Sequence, residues 1–109
     1  MKVVSENFCK KMIFRFGTEV QTRKVQEECL ELALAISQFY CPTKDSSKMI
    51  EKVVDEIADG FIVLAQARLL FGADSVDKRI AEKIQRATEL YLRSEERRVG
   101  NENRSRWNP

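Results

Sequence analysis

The chain contains no histidine, and that one absence removes several chemistries. Imidazole acid–base catalysis, histidine-ligated zinc and the Glu-x-x-His motif of di-iron bundles all require that residue. Cysteine is scarce as well. Cys9, Cys29 and Cys41 form no CxxC spacing and leave an odd thiol, so reduced packing residues are expected, not a disulfide framework. Proline occurs twice and glycine four times in 109 residues, so regular structure is rarely interrupted. No segment alternates at period two over a useful length, which excludes strands of any extent. No apolar run approaches the roughly 18 residues of a membrane span, and no signal peptide opens the chain, so a cytoplasmic location without a membrane partner is expected. What remains is 43% hydrophobic and 33% charged, the make-up of one small domain with a modest core.

The apolar residues recur at helical spacing throughout. Residues 3–15 predict a short amphipathic helix with Phe8, Met12 and Phe16 inward, broken at Gly17 with Thr18 as the next cap. A second helix is expected from Glu19 to Tyr40, stopping before Pro42. The short polar loop 42–47 makes the third helix double back, capped by Ser46 or Ser47, running to Phe71 and ending at Gly72. A fourth helix, capped by Asp74 or Ser75, reaches about Leu92 with Val76, Ile80, Ile84, Ala87 and Leu90 or Tyr91 inward. The expected fold class is all-α, a four-helix-bundle-like arrangement.

Two carboxylate clusters interrupt this apolar pattern: Glu27, Glu28 and Glu31 on the second helix, Glu56 and Asp59 on the third. Winding the second helix at about 100° per residue puts Val25, Cys29, Leu32, Ile36 and Phe39 on one stripe. Glu28 falls about 40° from its centre, Glu31 about 100° away at the border, and Glu27 faces away. On the third helix Ile50, Val53, Val54, Ile57, Phe61 and Leu64 form the stripe, with Glu56 about 100° off and Asp59 further round. A charge on an apolar face is costly without compensation. Three readings stand: solvated surface acids, salt bridges to Lys24 or Lys52 one turn away, or an oxygen cage for a cation. With oxygen donors alone, the cation would be Mg²⁺, or Mn²⁺ as a substitute. Leu30 and Leu34 on the second helix, and Ile62 and Leu69 on the third, lie off the main stripes and predict a partner subunit, in a homodimer or homotetramer.

The net charge of +2 resides in residues 93–109, which hold five arginines and three glutamates; the other 92 residues balance. A basic surface for specific nucleic-acid binding is therefore not expected on the folded part. The tail itself lacks apolar periodicity and is expected to be disordered. Its only nucleic-acid feature would be Trp107 as a stacking residue among the arginines. The string from Arg93 to Pro109 closely resembles a translated sequencing-adapter read, from which Asn101, Asn103 and Asn108 depart. On that resemblance the domain is residues 1–92, and the natural chain continues beyond Leu92.

Glu27-Glu28-Cys29-Leu30-Glu31 followed by Glu56-Ile57-Ala58-Asp59 resembles the signature Glu-Glu-x-x-Glu, spacer, Glu-x-x-Asp of the MazG-like all-α nucleotide pyrophosphohydrolases, over about residues 14–90. The resemblance implies that Glu28, Glu31, Glu56 and Asp59 bind magnesium, with Glu27 a supporting catalytic acid beside Glu28. It implies hydrolysis of a nucleoside triphosphate between the α and β phosphates, to a monophosphate and pyrophosphate. Lys83 and Arg86 match the family's Lys-x-x-Arg-like element for the outer phosphates. Phe14, Phe16 and Gln21 are expected near the base. A related dimeric dUTPase, a phosphoribosyl-ATP pyrophosphohydrolase and a non-enzymatic helical interaction module are the alternatives.

Overall fold

In a computed structural model, residues 3–107 are described, with side chains as far as residue 102. All regular structure among the described residues is helical, with no strand: α1 (Glu6–Phe16), α2 (Thr18–Phe39), α3 (Ser46–Phe71) and α4 (Ala73–Trp107). No helix among them is long and apolar enough to cross a membrane. The chain divides into two compact units, residues 1–73 with α1 to α3 and residues 74–109 with α4.

Local chemistry explains the boundaries of the first unit. Ser5 caps α1, its Oγ accepting the Phe8 amide at 3.1 Å. Gly17, at φ 89°, turns the chain between α1 and α2, a conformation that costs an L side chain. Thr18 is thus already helical and does not cap α2; its carbonyl accepts the Thr22 hydroxyl. At α3 the cap is Asp45, not Ser46 or Ser47, because its carboxylate takes both the amide and the hydroxyl of Ser47. Those bonds hold the Asp45 carboxyl below its ordinary range. Gly72, at φ 118°, ends α3 as its sequence position suggests, its amide returning to the Arg68 carbonyl.

The pairing of α2 with α3 dominates the first unit, and α1 lies against both. Arg68 ties α3 to α1 through Glu6 at 3.2 Å. On α1 the buried residue is Cys9, while Phe8 and Phe16 are 41% and 49% exposed, so the inward face is rotated from the expected one. The rotation on the longer helices matters more. On α2 the buried residues are Gln21, Glu28 and Ala35, two turns apart each time, whereas Cys29 and Ile36 are exposed. On α3 they are Gly60, Val63 and Gln66, whereas Ile50, Val54, Ile57, Phe61 and Leu64 are all exposed. Each helix has turned its acid-bearing side inward and left much of its richest apolar stripe outside. Small residues allow this: Ala35 is fully covered, and a methyl added at Gly60 would meet only Leu32 Cδ2 at 3.7 Å. Since 3.7 Å is ordinary contact, Gly60→Ala is expected to stabilise the chain by about 0.5–1 kcal/mol through backbone entropy. Urea unfolding with an unchanged slope checks this.

In the second unit α4 runs through residues 93–107, where the sequence predicts disorder and an end near Leu92. The helix is extended by local pairs, Arg98 bridging Glu95 at 2.9 Å and Glu102 at 2.7 Å. Ile80, Ile84, Leu90 and Tyr91, expected inward, are exposed on this helix. The Trp107 side chain and all of Asn108 lie outside the described residues, as does the side chain of Asn103.

Candidate metal centre

Antiparallel pairing of α2 and α3 brings the two acid motifs into register. Gln21 pairs with Gln66 through a hydrogen bond. Seven residues further along α2, and seven back along α3, Glu28 feels the charge of Asp59. Three more in each direction place Glu31 with Glu56. Carboxylate oxygens of Glu28, Glu31 and Glu56 all lie within 4.8 Å of one another. Glu28 is buried, Glu56 half-buried and Glu31 exposed, so the cluster grades from a covered floor to an open rim.

The electrostatics of this cluster are only partly compensated. Glu28 Oε2 and Glu56 Oε2 are buried and have no hydrogen-bond partner among the described residues. Lys24 reaches Glu28 Oε1 at 3.5 Å, one turn away on α2, but its own side chain is half exposed. Lys52, the other cation expected to be within reach, instead donates to Gln38 Oε1 at 3.2 Å. Burial raises the Glu28 carboxyl above its ordinary range, Glu31 and Asp59 raise it further, and Lys24 opposes the shift only in part. Three converging carboxylates with two orphaned oxygens fit a hard divalent cation, which takes oxygen donors and neutralises their repulsion.

This strain has a sign that can be measured without metal. A carboxyl with a folded-state pKa above its unfolded one destabilises the fold when ionised. Stability should therefore rise as pH falls from neutral through the raised value towards the ordinary 4.5. Thermal melts in chelator over that window should show the rise in wild type, and a flatter profile in Glu28→Gln.

The other expected site residues divide. Asp59 is exposed and stands beside the triad, on the wall of a hollow that Glu28 also lines. Glu27 is exposed on the turn that carries Glu28. Phe16 and Gln21 line the same hollow, whereas Phe14 is 93% exposed and takes no part in it. Lys83 and Arg86 are exposed residues of the second unit, Arg86 lining a shallow depression with Glu82, Glu89 and Arg93. Sequence reasoning missed Gln66, which is 2% exposed and bonded to Gln21. Its signal emerges only once the helices are paired, when Gln21 and Gln66 fall at equal seven-residue offsets from Glu28 and Asp59. Compared with protein-family models, with curated proteins and with solved structures, the chain gives no match.

Proposed function

We infer that this chain is a Mg²⁺-dependent nucleoside triphosphate pyrophosphohydrolase of the MazG-like kind. One observation carries the reading: α2 and α3 pack acid face to acid face, leaving the Oε2 atoms of Glu28 and Glu56 buried without a partner. Apolar burial alone would favour the opposite rotation, because Ile50, Val54, Ile57, Phe61 and Leu64 stay outside. A cation at the acids accounts for the choice.

Glu28, Glu31 and Glu56 would hold the metal, with Asp59 joining from the adjacent turn. When bound, Mg²⁺ supplies charge neutralisation at the phosphate oxygens and a more acidic water. Glu27, exposed on the turn that carries Glu28, is the acid assigned the proton of the attacking water. Pyrophosphate is the leaving group, taking with it the electron pair of the broken anhydride P–O bond. No histidine is needed at any step.

The same inverted packing leaves large apolar side chains exposed on both helices, with Leu30 at 68%, Val54 at 58% and Phe61 at 56% exposure. A second copy covering such side chains, in a cytoplasmic homodimer or homotetramer, completes the reading. Their exposure is also the observation that favours the alternative, a helical interaction module without catalysis. Of the residues expected to dock, Leu30 and Leu34 on α2 are exposed, whereas Ile62 and Leu69 on α3 are half-buried, Ile62 lining the hollow.

Assaying Mg²⁺-dependent pyrophosphate release over a panel of ordinary and damaged triphosphates, with dUTP and phosphoribosyl-ATP included, tests the proposal. Release from at least one member, with the matching monophosphate as co-product, is expected. Release of orthophosphate, or of nothing, defeats it, and a sole response to dUTP or phosphoribosyl-ATP selects the corresponding relative.

A further inference from the structure

Two packed antiparallel helices can slide by one turn and keep the same faces in contact, because residues three and four apart lie on one side. The seam between α2 and α3 has little to prevent this. Its covered residues include Ala35, Gly60 and Val63, none of them bulky. The large side chains that would interlock, Val54, Ile57, Phe61 and Leu64, are exposed. The acids themselves favour a slide. Carboxylates of Glu28, Glu31 and Glu56 converge within 4.8 Å, with the half-exposed Lys24 the cation beside Glu28. Something must hold this alignment against their repulsion in the metal-free chain.

One buried polar contact crosses the seam at the right place. Gln21 Nε2 donates to Gln66 Oε1, and the two residues are 5% and 2% exposed. Gln21 lies seven residues before Glu28 and Gln66 seven after Asp59, so this bond and the carboxylate cluster belong to a single register. A slide of one turn, about 5.4 Å, would take the carboxamides out of reach of each other while both stayed in the seam. Each would then be a buried polar group without its partner, which is costly. The same slide would pull Glu28 and Glu31 away from Glu56. By contrast, the Lys52–Gln38 bond near the other end of the seam is exposed, and water can replace either partner.

We propose that the Gln21–Gln66 pair is a register key, fixing the alignment of α2 and α3 at which the carboxylates close on a cation. Both glutamines are then positioning residues of the metal centre. This rests on the metal reading above and adds what keeps the cage assembled before a cation arrives. A buried polar residue plays this part in coiled coils, where it specifies register at a cost in stability. Two leucines in the same places would bury more favourably and would tolerate the slide. Replacing the pair should therefore strengthen the fold and weaken the site, a combination that ordinary packing residues do not give.

Gln21→Leu with Gln66→Leu is the test, read in three ways. The thermal midpoint in chelator should hold or rise. Calorimetric Mg²⁺ affinity should fall about tenfold or more, as it does when groups that orient metal ligands are lost. The third readout needs no metal. A Cβ on Gly60 would lie 3.7 Å from Leu32 Cδ2, so a nuclear Overhauser contact between the Gly60 α protons and the Leu32 methyls reports the register. In chelator that contact should be strong in wild type and weakened in the double variant. A variant that unfolds or melts lower overturns the proposal, as does one that keeps the contact. Where wild type binds Mg²⁺, undiminished affinity in the variant also overturns it and leaves the metal reading standing. Wild type that binds no Mg²⁺, with the contact weakened in a more stable variant, keeps the register key and defeats the metal reading.

Discussion

Glu28→Gln combined with Glu56→Gln is expected to lower Mg²⁺-dependent pyrophosphate release by more than about a hundredfold, since even outer-shell metal partners are worth 10–100-fold. The same double exchange should raise the thermal midpoint of the metal-free chain. Both residues place an unpartnered carboxylate oxygen inside the α2–α3 seam, and the repulsion they share disappears when they become neutral amides. The opposite signs of the two effects are diagnostic. A damaged core loses activity and stability together, whereas a strained metal site loses activity and gains stability. A calorimetric scan beside the activity assay separates the two.

The second large effect concerns assembly. Leu34→Asp on α2 and Phe61→Asp on α3 each put a charge on an apolar surface that is 55% and 56% exposed at those positions. In an isolated chain such changes would be nearly neutral, because water already reaches both side chains. Under the homodimer reading each buries an unpaired carboxylate at the subunit contact, and the assembly should dissociate at micromolar concentration. Sedimentation velocity of wild type and variants decides it. A wild-type chain that sediments as a monomer removes the dimer, and assemblies that survive both variants place the contact elsewhere.

These two expectations follow from a feature the sequence showed only in outline. The helices, the stop at Gly72 and the coincidence of the two acid motifs were legible, because periodicity, glycine geometry and spacing are local properties. Which side of each helix faces the other was not. Winding selects the direction of greatest apolarity, and on α3 that direction is the Ile50–Val54–Ile57–Phe61–Leu64 stripe, which is exposed. Beside Val63 the seam uses Ala35 and Gly60, small residues that permit close approach but contribute little to any apolar average. A face chosen to gather Glu28, Glu31 and Glu56 cannot be found by maximising burial of hydrophobic groups. Gln66 escaped for a related reason, since one amide in an apolar run has no meaning until its partner on another helix is known. The Asp45 cap was hidden among three adjacent capping residues. The helix through residues 93–107 was overlooked because it draws on charge pairs such as Arg98 with Glu95 and Glu102, not on apolar periodicity.

Titrating Mg²⁺, and Mn²⁺ in parallel, into the metal-free chain by isothermal calorimetry addresses the central claim most directly. Saturable binding to wild type is predicted, lost in the Glu28→Gln, Glu56→Gln variant. The same affinity in the double glutamine variant as in wild type would contradict the account.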